Sequence, residues 1–488
     1  MTWNIIMINS KKKYLNLIIK TIISAMIVFM LFVPVSASDN ESQDLTDMLS
    51  YKTNSGSWAG SIVDDNYMSY WYTKNAAYKY IQLECSEYIK YLYVCYIFKP
   101  SQLAIQTSYD GKTWIDIAYE TSDEFYHVTY TLENPAKMIR IKGTEESVGK
   151  FGICEVKAYA EGGLPDEAQT WLPAYDSPDM MIFSAHPDDE AVFFAGLLPY
   201  YSAEGKKIQM VYMAVSADYR HSEVLNYLWS MHQNHLPIYA GFPDVYDMDS
   251  YSYTKSVWGK QKTIDYMVSI IREKKPEVIV SHDIDGEYGH GAHMFTALCL
   301  QEAVALAADP EYHTESYAKY GTHQIKKLYL HLYDENKIYL GGLDTPLDEF
   351  GGLTAIEISK QNISHYASQL MFQVVRVHDE TSPFSCYRYG LAYTSVGYDT
   401  KMNDMFENVG PDPTAVPTAS PEPTSSPTPT PTIAPTITTS VSLIVYAEPE
   451  SESPVHINKN TIIIILVLSA LFFLSIILIR LHIDKSKK

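Results

Sequence analysis

Apolar and polar positions follow one rhythm in the first third of the chain and another after it. Between residues 45 and 160, short runs rich in β-branched and aromatic residues recur: "YIQLEC", "YIKYLYVCYIF", "LAIQTSY", "FYHVTYTL", "KMIRIKG" and "GICEVKAYA", separated by turn formers such as "DGK". Such runs in series predict strands, and strands without intervening helices predict an all-β sandwich. From 177 to 400 the short runs "MMIFSA", "KIQMVYMAV", "EVIVSHD" and "KKLYLHLY" alternate with stretches whose apolar residues recur every three or four positions, "SEVLNYLWSMHQNHL", "KTIDYMVSIIREKK" and "HMFTALCLQEAVALAA". That alternation predicts βαβ units around a mainly parallel, Rossmann-like sheet, in which ligands bind beyond the carboxyl ends of the strands. The fold class is therefore multidomain, a β-sandwich followed by an α/β domain.

The two ends carry different patterns. Lys11, Lys12, Lys13 and Lys20 precede the apolar "TIISAMIVFMLFV" and the small-residue site "VSA", the layout of an export signal over residues 1–37. Residues 411–440 are a Pro/Thr/Ser tract that cannot build a core and is expected to form an extended stalk. The run "IIIILVLSALFFLSIILI" predicts a transmembrane helix over 461–481, about 27 Å of it apolar. Basic residues in 482–488 then place the tail in the cytoplasm and the folded domains outside the cell, on a single-pass membrane protein.

Composition narrows the partners. A formal net charge of -21 argues against nucleic acid, whose phosphates require clustered Lys and Arg. Cys85, Cys95, Cys154, Cys299 and Cys386 are an odd set without metal-site spacing, and they read mostly as small buried hydrophobes, with one bridge in the first domain an open option.

The stretch "IFSAHPDDEAVFFAG", residues 182–196, sets a histidine and three acids between two apolar runs. If a helix starts near Pro187, His186 and Asp189 share a side while Asp188 points about 100° away. An N-cap with favourably placed acids explains the carboxylates but not the histidine. A second cluster, "SHDIDGEYGHGAH" at 281–293, also follows an expected strand and opens an expected helix, with His290 and His293 on one face. Together the clusters supply His186, Asp189 and His293, three ligands with a position left for water, as catalytic zinc requires. Two histidines and a carboxylate also suit Fe2+. Zinc is favoured because Asp188 and His290 then fall into hydrolytic roles, Asp188 as the base and a protonated His290 facing the oxyanion.

The pair "AHPDDE" and "YGHxxH", about a hundred residues apart, resembles the LmbE/PIG-L deacetylases, zinc enzymes that act on N-acetylglucosaminyl compounds. The resemblance implies zinc ligands His186, Asp189 and His293, Asp188 as general base, His290 at the oxyanion and Tyr288 as an assisting group. It also implies sugar contacts from Arg220 and Asp244. The second motif reads "HGAH" and lacks the acid found between the histidines of many relatives, which leaves the group orienting His290 unidentified. In the first domain, "DDNYMSYWYT", "SYDGKTWIDI", "KMIRIKG" and "CEVKAYA" occur in the order of a discoidin-like (coagulation-factor C-type) galactose-binding jelly-roll, in which Trp71 and Trp114 are expected in the core. The expected function is a cell-surface zinc deacetylase of an N-acetylated glycan. A glycan-binding adhesin without activity, a deacetylase of a small glycoconjugate and a metal-dependent oxygenase are the alternatives.

Overall fold

The computed structural model describes residues 41–55, 59–120, 125–372 and 382–410. The expected signal (1–37), stalk (411–440), transmembrane helix (461–481) and basic tail (482–488) lie outside them. Among the described residues no helix is long and apolar enough to cross a membrane.

The first domain is a sandwich in which two long strands belong to both layers. Its strands are β1 (Ser50–Thr53), β2 (Trp71–Thr73), β3 (Tyr80–Phe98), β4 (Leu103–Ser108), β5 (Ile115–Glu120), β6 (His127–Gly143) and β7 (Phe151–Tyr159). The first half of β3 pairs with β1 and with the end of β6, which continues to β4 and β5; its second half pairs with β7 and with the start of β6. Where the sequence suggests two strands, 80–85 and 88–98, the structure has one. Polar Ser86 and Glu87 lie exposed at an irregularity in register between Glu84 and Ile89, so the strand bends instead of stopping. Ile81, Leu83, Ile139 and Ile141 from one layer meet Leu92, Val94 and Val156 from the other, and Trp71 is fully buried among them. Trp114 is not in that core: it is half-buried, with the Arg140 guanidinium 3.8 Å from its ring. All five cysteines are buried and none of the bridges open to the first domain is formed.

The second domain is a seven-stranded sheet of β8 (Met180–Ser184), β9 (Ile208–Ala214), β10 (Ile238–Phe242), β11 (Val278–Ser281), β12 (Lys327–His331), β13 (Lys337–Tyr339) and β16 (Arg388–Thr394), with a small hairpin of β14 (Pro346–Leu347) and β15 (Leu353–Thr354) between the last two. The order is β10-β9-β8-β11-β12-β16-β13. Five strands are parallel and the β16–β13 edge is antiparallel. β8, β9, β11 and β12 are fully buried runs, as strands covered by helices on both faces must be. The helices Arg220–Ser230 and Ala355–Asn362 contribute to the core on one face, and Lys260–Lys274 and Gly291–Leu306 to the core on the other. The winding direction reverses between β8 and β11, and a sheet of this kind opens a crevice at such a switch point. Both acid and histidine clusters lie there.

Candidate active site

β8 ends at Ser184, and the chain turns sharply before a single helical turn, Asp189–Val192. Asp188 caps that turn with φ 103, a conformation that costs a non-glycine residue about 1–3 kcal/mol and persists only where the surroundings enforce it. Arg220 supplies part of that enforcement: it is 6% exposed, its Nη1 donates to the Pro187 carbonyl at 3.0 Å, and the same nitrogen lies 3.4 Å from Asp188 Oδ2. The His186 amide donates to Asp189 Oδ2 at 2.8 Å, which leaves Oδ1 3.3 Å from His293 Nε2. The three expected ligands thus converge from β8 and from the helix that follows β11.

The fit to a metal can be judged from the donors. Nε2 of His186 and Nε2 of His293 are both buried without a hydrogen-bond partner. Leaving a buried polar atom unpaired costs about 1–3 kcal/mol, so two such lone pairs beside a carboxylate suit a cation. Two overlapping sets of candidate ligands share His293: His186 with His290, and Asp189 with His282. His282 is the weaker candidate, since its Nε2 already accepts from the Ala185 amide at 2.8 Å and its Nδ1 faces Glu287 at 3.0 Å.

Glu287 is the group that sequence reasoning missed. Fully buried, it receives Nδ1–H from His293 at 2.7 Å, from His282 at 3.0 Å and from His331 at 2.7 Å. A carboxylate on Nδ1 fixes the tautomer that offers Nε2 to a metal. Burial opposes its charge, but the imidazole of His282, with hydrogen bonds from all three rings, holds the carboxyl well below the usual range. His331 touches two acceptors, the Glu287 carboxylate through Nδ1 and the Ser385 carbonyl through Nε2. The only advance signals were a glutamate three residues before His290 and a histidine inside the apolar run "KKLYLHLY".

His290 is the N-cap of the helix Gly291–Leu306, and its orienting partner is the backbone: the Ala292 amide donates to Nδ1 at 3.3 Å. Ala292 occupies the position of the missing acid. The proton therefore sits on Nε2. Burial and the neighbouring His293 and His186 push this imidazole down to about 3, so His290 is a neutral N–H donor and not the protonated group expected from sequence. Asp188 is pushed up to about 7 by burial and by Asp189, against the pull of Arg220. Asp244 lies 3.4 Å from His186 Nε2 with a third of its side chain exposed. Tyr288, 47% exposed with φ 48, stands at the rim with its ring 5.8 Å from that of His290. Every expected site residue is thus in one crevice, although Arg220 is committed to Pro187 and Asp188 and not to open space.

Such an arrangement can hold a divalent ion, place a carboxylate near neutrality beside it and present a fixed N–H donor, the set needed to hydrolyse an amide. Among known proteins, the 1D-myo-inositol 2-acetamido-2-deoxy-alpha-D-glucopyranoside deacetylase of Mycolicibacterium smegmatis is 26% identical over 167 residues, 28% of this chain and 57% of that protein. The protein of the same name from Streptomyces avermitilis is 26% identical over 173 residues, 29% of this chain and 58% of its own. The chain thus spans little more than half the length of these relatives. The solved N,N'-diacetylchitobiose deacetylase of Pyrococcus horikoshii is 16% identical, with a TM-score of 0.32 over 40% of this chain and 71% of that one. Residues 181–304, which contain every group described above except His331 and Ser385, match the family described as PIG-L, GlcNAc-PI de-N-acetylase, and this segment is a PIG-L/LmbE deacetylase domain.

Proposed function

We propose that the protein is a zinc-dependent deacetylase that removes the N-acetyl group from N-acetylglucosamine units of an extracellular or cell-wall glycan. The observation that carries this reading is the convergence in one crevice of His186 with His290 and His293, and of Asp189 with His282 and His293, with Asp188 beside them. Zinc held by these three residues would supply Lewis acidity for the acetyl carbonyl and lower the pKa of the attacking water. Asp188, poised near neutrality, takes the proton from that water. His290 Nε2–H donates to the oxyanion that forms as the carbonyl is attacked, and Asp188 returns its proton to the departing amine. Tyr288 and Asp244, both at the solvent side, are placed to meet the sugar. The export signal, stalk and apolar segment read from the sequence support an extracellular location, and the sandwich supports a glycan over a diffusing metabolite.

The test couples amine release from N-acetylglucosamine oligomers to metal content. Asp188→Asn is expected to abolish release while zinc stays near wild type; Asp189→Ala and His293→Ala are expected to lose zinc. Loss of zinc from Asp188→Asn would mean that the two acids have exchanged roles. The relatives' names favour a second reading, a small glucosaminyl conjugate as substrate. Faster turnover of such a conjugate than of an oligomer at equal concentration would replace the glycan by that conjugate.

A further inference from the structure

The sandwich has one face packed against the α/β domain and one face that is uncovered among the described residues. On the free face a shallow cleft of about 270 Å³ opens between Gln106, Tyr119, Lys142 and Glu146. Register builds it. Lys52, Gln82, Arg140, Gln106 and Asp116 lie side by side across β1, β3, β6, β4 and β5, and the next row runs Tyr80, Lys142, Ala104, Tyr119. Ala104, small between Lys142 and Tyr119, leaves the depression.

The walls are held in place by a connected set of contacts. Asp116 accepts from Gln106 Nε2 at 2.6 Å with one oxygen and from the Tyr119 hydroxyl at 2.7 Å with the other. The Arg140 guanidinium is clamped between the rings of Tyr80 at 4.0 Å and Trp114 at 3.8 Å, and donates to Gln82 at 2.7 Å. Two atoms in this set have no partner: Oε1 of Gln106, a residue only 8% exposed, and Nε of Arg140. Tyr119, by contrast, is 59% exposed while its hydroxyl is tied down, so a ring is held out to solvent.

An aromatic ring fixed at the edge of a polar depression matches a pyranose, whose C–H face stacks and whose hydroxyl and amide groups find donors and acceptors. The volume is below the range of about 300–1,000 Å³ typical of drug-sized ligands, which limits the occupant to one or two rings. Asp116, Glu145 and Glu146 outnumber Lys142 among the cleft's charged groups, and so favour a cation. We propose that this cleft is a glycan subsite that seats hexosamine rings on Tyr119 and prefers those bearing a free ammonium, the product of deacetylation. The identity of the sugar rests on the deacetylase reading. A site for the product would keep the enzyme on a chain it has begun to work, with the gain in effective concentration that a second contact brings.

The experiment uses the full chain with Asp188→Asn, which does not consume its ligand, titrated with glucosamine hexamer and with N-acetylglucosamine hexamer. Adding Tyr119→Ala is expected to weaken binding of the glucosamine hexamer about tenfold, as loss of an aromatic anchor typically does. Glu146→Gln is expected to weaken the glucosamine hexamer more than the acetylated one. Tyr119→Ala in the otherwise wild-type chain is expected to leave hydrolysis of a disaccharide unchanged. If Tyr119→Ala and Gln106→Leu both bind the hexamers as the parent does, the subsite is overturned; equal affinity for the two hexamers overturns the preference for ammonium. A wild-type chain that binds through Tyr119 but releases no amine would support the cleft and remove the catalytic reading alone.

Discussion

Replacing Glu287 by glutamine tests the buried framework behind the metal ligands. In the protein one carboxylate accepts from three imidazoles, and no water reaches it. Glutamine keeps the shape but carries no charge and turns one of the two acceptor atoms into an amide donor, so at least one ring faces an N–H where it needs a lone pair. His331, between Glu287 and the Ser385 carbonyl, also loses its carboxylate partner. Removing one partner of a buried pair typically costs about 3–5 kcal/mol. At about 2–4 °C per kcal/mol for a domain of this size, the melting temperature of the metal-free protein is expected to fall by roughly 6–20 °C. Independently, loss of the group that fixes a ligand's tautomer typically costs about 10–100-fold in metal affinity. Zinc competition against a chromogenic chelator measures the second effect and thermal unfolding the first. Glu287→Asp keeps the charge and is expected to recover part of both. Unchanged zinc affinity in Glu287→Gln would refute the reasoning, because His293 would then not depend on this carboxylate to present Nε2.

Two further outcomes concern Glu155 in the sandwich and Gly291 beside His290. Burial, then Asp65, pushes Glu155 up to about 8, and its Oε2 has no partner; the folded state therefore binds its proton more tightly than the unfolded chain, and stability declines as pH rises from the ordinary carboxylate range towards 8. Glu155→Gln is expected to raise the melting temperature at pH 8 and to change it little at pH 5, and equal shifts at both would exclude this titration. A Cβ at Gly291 would lie 2.1 Å from the Ser250 carbonyl, so Gly291→Ala is expected to cost about 1–3 kcal/mol in urea unfolding and to lower activity by displacing His290; an unaltered midpoint would show that the 247–250 loop yields freely.

The sequence was most legible where a periodic run ended in charge. The ends of β8 and β11 with their histidines and acids could be read from residues 180–193 and 278–293, as could the alternation of strand and helix along the domain; the three expected ligands lie in the same two segments. Other features left no periodic trace. β10 is a partly exposed "IYAGF" with a glycine, and β16 is antiparallel and far along the chain from the strand it pairs with. Glu287 gave no signal of its own because its partners are spread over three elements: His282 just after β11, His293 on the helix that follows, and His331 on β12, 44 residues away. The proton on His290 was misjudged because the backbone amide that sets its tautomer has no side chain to see. Trp114 was assigned to a core by its type, whereas a bulge between Ile105 and Gln106 sets the edge of β5 against Arg140 instead.

The packing between the two domains bears on how any role of the sandwich must be tested. The helix Arg220–Ser230 begins with the residue that braces Pro187 and Asp188, and the same helix carries the contacts to the sandwich. Ser222 Oγ lies 3.7 Å from Cys154 Sγ, and the His221 ring stacks on Tyr126 at 4.2 Å. Tyr219 packs against Tyr93, Cys95 and Cys154 on the outer face of the layer formed by β3 and β7. Deleting residues 45–160 would strip these partners from the helix and expose a buried apolar surface one residue from Arg220. Activity is then expected to fall on a monosaccharide as much as on a polymer, for reasons that have nothing to do with glycan binding. The free face, by contrast, can be altered at Tyr119 without touching that helix, so a loss confined to long substrates would belong to the cleft and a uniform loss to the brace.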